Sequence, residues 1–278
     1  MPATYTPIRY PGGKTKIYPL VKKIIDDNGF RSYAYAEAFA GGAGLAMKLL
    51  LKGDVPSVII NDLDRAVYCM WDAIVNRSED LCTFVSDVEV TVDEWKRHRE
   101  TYRNQKDVDD FELGCAAFFL NRTNVSGILD GGVIGGMEQF GNFKIDARFS
   151  KPGLLAKIRA IGKRRDDIRI FNLDAETFIV DVLTREESLF AYFDPPYVKK
   201  GPGLYRSSFD EDKHRSLAKA IQKCKFPWIA TYDDDELIEK LYGKNVRETF
   251  GIGYSAYRAS RGKEKLILPP NVSYSTAA

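Results

Sequence analysis

Four consecutive residues, Asp194-Pro195-Pro196-Tyr197, are the best equipped for chemistry in this chain. They follow an apolar, strand-like run, Ser188-Leu189-Phe190-Ala191-Tyr192-Phe193. Neither proline has a backbone N–H to donate, and each fixes its own φ. The residue before each proline is pushed toward extended geometry. The segment therefore reads as a stiff ledge at a strand end, presenting a carboxylate, carbonyl oxygens and an aromatic ring. An acceptor-rich slot with a stacking face suits a planar group that carries an NH2.

Two further segments carry ligand-binding features. Glu37-Ala38-Phe39-Ala40-Gly41-Gly42-Ala43-Gly44 lets a ligand approach the backbone closely and opens onto a helix N-terminus. It lacks the GxxxxGK[ST] pattern of a P-loop, and no basic residue follows directly; Lys48 comes later and is expected to face solvent. Such a loop favours a ligand without phosphates. Asp62, at the end of the next strand, is placed to accept hydrogen bonds from ribose hydroxyls. Near the N-terminus, Arg9-Tyr10-Pro11-Gly12-Gly13-Lys14 joins an aromatic, a flexible glycine pair and a cation into a small lid. Tyr10 can stack on a base there, and Lys14 can meet a carboxylate.

The elements that must position these residues follow from the pattern. Strands are expected at residues 33–39, 58–60, 168–171, 188–193 and 226–231, with helices at 45–51, 65–75, 175–183, 210–224 and 234–242. Two final strand-like runs, 246–251 and 265–268, are joined by a loop holding Arg258, Arg261 and Lys263. Alternation of this kind calls for an α/β fold, a mixed sheet with helices on both faces and an antiparallel pair at one edge. Residues 76–150 break the alternation with helical stretches near 92–105 and 111–120, then a glycine-rich run.

Composition excludes several classes. The 278 residues are 44% hydrophobic and 29% charged, with a formal net charge of +2, so a nucleic-acid surface has to come from local clustering. No apolar run of about 18 residues is present, so no membrane partner is expected. The N-terminal segment has no apolar core of a secretory signal. Cys69, Cys82, Cys115 and Cys224 show no CxxC spacing, and His98 and His214 are the only histidines. The expectation is no metal and reduced thiols, hence a cytoplasmic protein.

In order along the chain, RYPGGK, AFAGGAG, NDLD, FFLNRTNVSGIL and DPPY resemble the Dam-like, or D12 class, DNA adenine-N6 methyltransferases. The resemblance covers nearly the whole chain. It implies a Rossmann-like S-adenosylmethionine-dependent methyltransferase fold in a bacterial or phage-infected cell. The catalytic domain would comprise residues 1–75 and 151–278, with a mostly helical target-recognition insertion at 76–150. It implies S-adenosylmethionine as cofactor and double-stranded DNA as partner, with a monomer sufficient. Tyr10, Gly12, Gly13 and Lys14 would contact the cofactor; Glu37, Phe39, Gly41 and Gly44 would surround its methionine moiety. Asp62 would take the ribose, and Asp174 would lie near the cofactor adenine. Asp194, Pro195, Pro196 and Tyr197 would be catalytic, with Asp194 touching both cofactor and target amine.

The chemistry implied is direct transfer. The N6 lone pair of adenine is delocalised, so acceptors at Asp194 and the Pro195 carbonyl would favour a tetrahedral nitrogen and stabilise its developing charge. Tyr197 would stack on a base flipped from the duplex. Basic residues cluster in the insertion, and Arg97, Arg103, Asn121, Arg122 and Asn124 are the expected DNA contacts. In GATC-specific relatives an aromatic-Asn-Gly-Leu sequence follows the Asn-Arg pair; here Asn124-Val125-Ser126-Gly127-Ile128-Leu129 stands in that place. The competing readings are an N4-cytosine methyltransferase, a methyltransferase of RNA or of a protein glutamine amide, and a catalytically silent DNA-binding relative.

Overall fold

The structure is a computed structural model that describes residues 4–198, 209–254 and 260–274. Its elements run α1 (Tyr18–Asp27), β1 (Ala34–Glu37), α2 (Gly44–Lys52), β2 (Val58–Asn61), α3 (Arg65–Asn76), α4 (Ser78–Asp87), α5 (Val92–Arg103) and α6 (Asp110–Thr123). There follow α7 (Lys151–Gly162), β3 (Ile168–Phe171), α8 (Ala175–Asp181), β4 (Leu189–Phe193), α9 (Glu211–Lys223), β5 (Trp228–Asp233), α10 (Glu236–Tyr242), β6 (Val246–Tyr254) and β7 (Ser260–Ile267).

The strands form one seven-stranded sheet in the order β3-β2-β1-β4-β5-β7-β6. The first five in that order are parallel, and β7 lies antiparallel between β5 and β6. This is the Rossmann-like α/β fold expected from the sequence. The final strands are longer than the apolar pattern suggested: Arg261 and Lys263 fall within β7 rather than in a loop, and Arg258 lies outside the described residues. Helices α1, α4 and α7 had no counterpart in the sequence pattern, although α1 buries Val21, Ile24 and Ile25 at helical spacing.

Side chains on a strand alternate between faces, and the two cores divide accordingly. Tyr35, Val58, Ile60, Phe190, Tyr192 and Ile229 face α1, α2, α3, α6 and α7. Ala36, Ile59, Leu189, Ala191, Phe193, Trp228 and Tyr232 face α8, α9 and α10. Burial on both faces explains why β2, β4 and β5 read as continuous apolar runs. The helical segment continues the first of these cores. Trp71 and Met70 of α3 share it with Leu113, Phe118 and Phe119 of α6 and with Trp95 and Tyr102 of α5.

Sheet order positions the site. Chain progression reverses at β1, whose neighbours are β2 on one side and β4 on the other. The loops leaving β1 and β4 therefore diverge to opposite faces and leave a crevice at their carboxyl ends. The glycine loop leaves β1 and Asp194 leaves β4 at this crevice.

Close packing of α3 on α6 depends on Gly114, where an added Cβ would lie 2.5 Å from the Cys69 carbonyl oxygen and 3.2 Å from Ala73 Cβ. Alanine is the better helix former by about 1 kcal/mol. Overpacking against backbone costs about 1–3 kcal/mol and should win. Gly114→Ala is expected to lower the urea midpoint of unfolding; an unchanged or raised midpoint would contradict this packing.

Candidate active site

The crevice holds a cavity of about 350 Å³. Its walls include Tyr10, Gly12, Gly13, Lys14, Glu37, Phe39, Gly41, Gly44, Asp62, Asp174 and Asp194 to Tyr197, so the structure gathers every residue expected for catalysis and cofactor contact. Lys14 is the one basic side chain on the wall among the described residues, against the acids Glu37, Asp62, Asp64, Asp130, Asp174 and Asp194. A cavity of this polarity disfavours phosphate and suits a cationic ligand.

The glycine loop is shaped from several sides. Asp62 Oδ2 accepts from the Gly41 N–H at 2.8 Å and Oδ1 accepts from the Asp64 N–H at 3.0 Å. The Gly41 carbonyl accepts from Trp71 Nε1 at 2.8 Å. Asn61 is buried and donates to the carbonyls of Ala38 and Leu173, while accepting from the Leu173 N–H. It thereby couples the loop after β1 to the turn that carries Asp174. Gly41 and Gly42 are needed because a Cβ at either would meet Tyr10 at 2.7 or 2.8 Å. The N-terminal lid thus packs its aromatic ring directly on the loop.

Glu37 ends β1, where its Oε1 accepts from the Ala46 N–H at 3.0 Å and from the Tyr35 hydroxyl at 3.2 Å. Burial pushes its carboxyl up to about 8, beyond what those donors offset. Burial likewise pushes Asp62 up to about 6 against the two backbone donors. Asp174 caps α8 by accepting from the Glu176 N–H at 2.9 Å and is exposed at the cavity rim.

Asp194 sits at the centre. Its Oδ1 accepts from the Thr231 hydroxyl at 3.0 Å and pairs with Lys14 Nζ at 3.2 Å. Thr231 is fixed in turn by the Tyr192 hydroxyl at 2.6 Å. Burial raises the Asp194 carboxyl to about 6, the Lys14 charge opposing and the Glu264 charge adding to the rise. Lys14 Nζ also donates to Glu264 Oε1 and to the Tyr197 hydroxyl, each at 2.7 Å. Burial alone would lower the Lys14 ammonium, but the charges of Asp194 and Glu264 outweigh it and raise it. Thr231 and Tyr192 were not picked out from sequence, and Asn61, in the NDLD motif, and Glu264, in a run that resembles the family's C-terminal pattern, were given no role there. Their signal is a polar residue inside a run that the sheet buries.

The expected DNA contacts divide. Asn121 and Asn124, expected at the DNA, are buried with their amides engaged within the protein, and Asn121 also borders the cavity. Asn121 exchanges hydrogen bonds with the Arg9 backbone at 2.9 and 2.6 Å and donates to the Gly127 carbonyl. Asn124 accepts from Trp95 Nε1 and donates to the carbonyls of Ile128 and Leu129. Arg122 is also drawn inward, donating to the carbonyls of Pro7 and Arg148. These three side chains shape the end of α6 and tie the N-terminal arm to it. Arg97 and Arg103 are exposed on α5 away from the cavity wall, Arg97 paired with Glu94. Lys48 does not face open solvent: it is half-buried, its Nζ 3.9 Å from the centre of the Tyr18 ring.

A model of the family described as D12 class N6 adenine-specific DNA methyltransferase matches residues 10–256. The chain therefore belongs to the D12 class of N6 adenine-specific DNA methyltransferases, enzymes that methylate adenine in DNA. No curated protein matches the chain. Among solved structures, a conserved hypothetical protein of Streptococcus pyogenes is similar at 11% identity and a TM-score of 0.34, over 87% of this chain and 89% of that one. No described cluster of histidines, cysteines and acids is arranged to hold a metal, and no described helix is long and apolar enough to cross a membrane.

The carboxyl at position 194 is held at a cost to stability. An acid whose folded-state pKa lies above its ordinary value binds more protons folded than unfolded, so stability falls as pH rises through that interval. For Asp194 the interval runs from 3.8 to about 6. Asp194→Asn removes this term and should be more stable than the parent at pH 7 by up to about 3 kcal/mol. The difference should vanish near pH 4. Denaturant melts at both pH values check this, and a variant less stable at pH 7 would refute the assignment.

Proposed function

We propose that the protein transfers the methyl group of S-adenosylmethionine to the N6 amine of an adenine flipped out of double-stranded DNA into the crevice. The observation that carries this reading is the state of Asp194. Its Oδ1 is engaged by Lys14 and Thr231, whereas Oδ2 has no hydrogen-bond partner among the described residues. Oδ2 is then the acceptor for an incoming amine, beside the Pro195-Pro196 backbone and the Tyr197 ring.

The residues present fit the donor. An acidic, glycine-walled cavity with its one lysine already paired to two carboxylates suits a nucleoside that carries a sulfonium and an ammonium and no phosphate. Glu37 would face the amino-acid tail, and a cationic partner there would restore the carboxylate that burial disfavours. Asp62 would accept from ribose hydroxyls while it continues to brace Gly41, and Asp174 would lie at the adenine end. The bound donor supplies an electrophilic methyl; the chain supplies alignment and charge stabilisation.

On the base side, Asp194 Oδ2 and the Pro195 carbonyl would accept the two N6 hydrogens, drawing the nitrogen toward tetrahedral geometry. Positive charge that develops on N6 during attack would be met by the carboxylate. Tyr197 would stack on the ring. The cavity lies within the carboxyl-end crevice of the sheet, so an adenine inside a duplex must leave the stack to reach it. Phosphates would remain outside the acidic cavity, where exposed cations such as Arg97 and Arg103 can meet them.

Incubation with S-adenosylmethionine labelled at the methyl group and unmethylated duplex DNA, followed by nucleoside analysis, tests the reading. The expected product is labelled N6-methyladenine, absent with Asp194→Ala. Label in N4-methylcytosine, or undiminished transfer by a folded Asp194→Ala, would overturn it. Tyr197→Ala is expected to lower the transfer rate by roughly tenfold or more while leaving donor affinity nearly unchanged. An equal loss of donor affinity would place Tyr197 against the donor instead of the base.

A further inference from the structure

The ammonium of Lys14 has three N–H donors, and three acceptors surround it: Asp194 Oδ1, Glu264 Oε1 and the Tyr197 hydroxyl. Lys14 is therefore committed to holding protein groups and keeps no proton for a substrate. The Tyr197 hydroxyl, while accepting from Lys14, donates to the same Glu264 oxygen. Glu264 is fully buried on β7, opposite Asp233 of β5, on the antiparallel strand inserted beside β5. One oxygen of this glutamate thus fixes both the cation that grips Asp194 and the ring that completes the slot.

Resting on the proposed function above, we infer that Glu264 is the positioning residue of the transfer step. It anchors Lys14 and Tyr197 so that the Asp194 carboxylate and the stacking ring keep their alignment on the target amine. It touches neither base nor donor, and it acts through the two side chains it holds. This gives the reversed strand a functional role. β7 delivers an acid to the back of the slot from a part of the chain 250 residues away from Lys14.

A purely structural glutamate would affect folding without changing the electrostatics of Asp194, and this separates the two roles. The charged and titratable groups facing Asp194 are Lys14 from the N-terminal turn, Glu264 from β7, Glu37 and Tyr35 from β1, Tyr192 from β4 and Tyr232 from β5. Glu264 raises the Asp194 carboxyl by like-charge repulsion. Glu264→Gln keeps an oxygen for Lys14 and removes the charge. Glu264→Ala removes the anchor itself.

In methyl transfer to duplex DNA, Glu264→Ala should lower kcat by roughly tenfold or more with KM values little changed. Glu264→Gln should retain more activity and move the acid limb of the kcat profile to lower pH. Titration of the Asp194 carboxyl carbon by 13C NMR reads the same shift without turnover, and it serves if Glu264→Ala does not fold. A downward shift of the Asp194 titration in Glu264→Gln supports the inference. An unshifted titration, or a folded Glu264→Ala variant with wild-type kcat, overturns it. If the parent protein transfers no methyl group, the functional reading fails instead, and the NMR titration still decides the placement of Glu264.

Discussion

The arrangement at the crevice depends on one buried ammonium. Lys14 lies between Asp194 and Glu264 and against the Tyr197 hydroxyl, with its Nζ 2.7 Å from that oxygen. A carboxylate at the end of a fully buried strand is poorly solvated, and burial pushes its pKa upward. Without a cation close by, Asp194 would be neutral near pH 7 and a weak acceptor for an amine. Two carboxylates flanking one ammonium leave the cluster with a net negative charge. That charge suits a cationic methyl donor and the positive nitrogen formed during attack. A buried ion cluster of this kind is weak evidence for stability, and its value lies in holding direction and charge.

The rest of the fold delivers parts to that cluster. The reversal of sheet order at β1 opens the crevice, and the glycine loop borders it without side-chain bulk. Asp62, Asn61 and Trp71 hold the loop by its backbone from three directions. The lid segment brings Lys14 in from outside the sheet, and Asn121 and Arg122 at the end of α6 grip the backbone just before it. These two side chains thereby help position the arm that carries the central cation.

Much of the fold and of the cavity wall was legible in the sequence, because those signals are local. Apolar strand runs, the glycine loop and the Asp-Pro-Pro-Tyr ledge each declare themselves within a few residues, and their order implies the crevice. What was not legible depends on pairing between distant segments. Glu264 and Thr231 look like ordinary polar residues in apolar runs until β7 pairs antiparallel with β5 and brings both to Lys14 and Asp194. The burial of Asn121 and Asn124 was not legible either, because a polar cluster before a glycine run resembles an exposed loop, whereas here it ends a helix buried on nearly every side. Helices α4 and α7 were missed although they bury Leu81, Cys82 and Val85, and Leu154, Ile158 and Ile161, at helical spacing.

The most direct test of this account is the pH dependence of the single-turnover rate of methyl transfer, in the parent protein and in Lys14→Met. An ionised Asp194 is required, so the parent rate should rise with pH through a one-proton step near the Asp194 value of about 6. Removing the cation that opposes burial should carry that step to higher pH in Lys14→Met. A parent rate that is flat from pH 5 to 8, or a step left in place when Lys14 is replaced, would contradict the central role assigned to the ammonium.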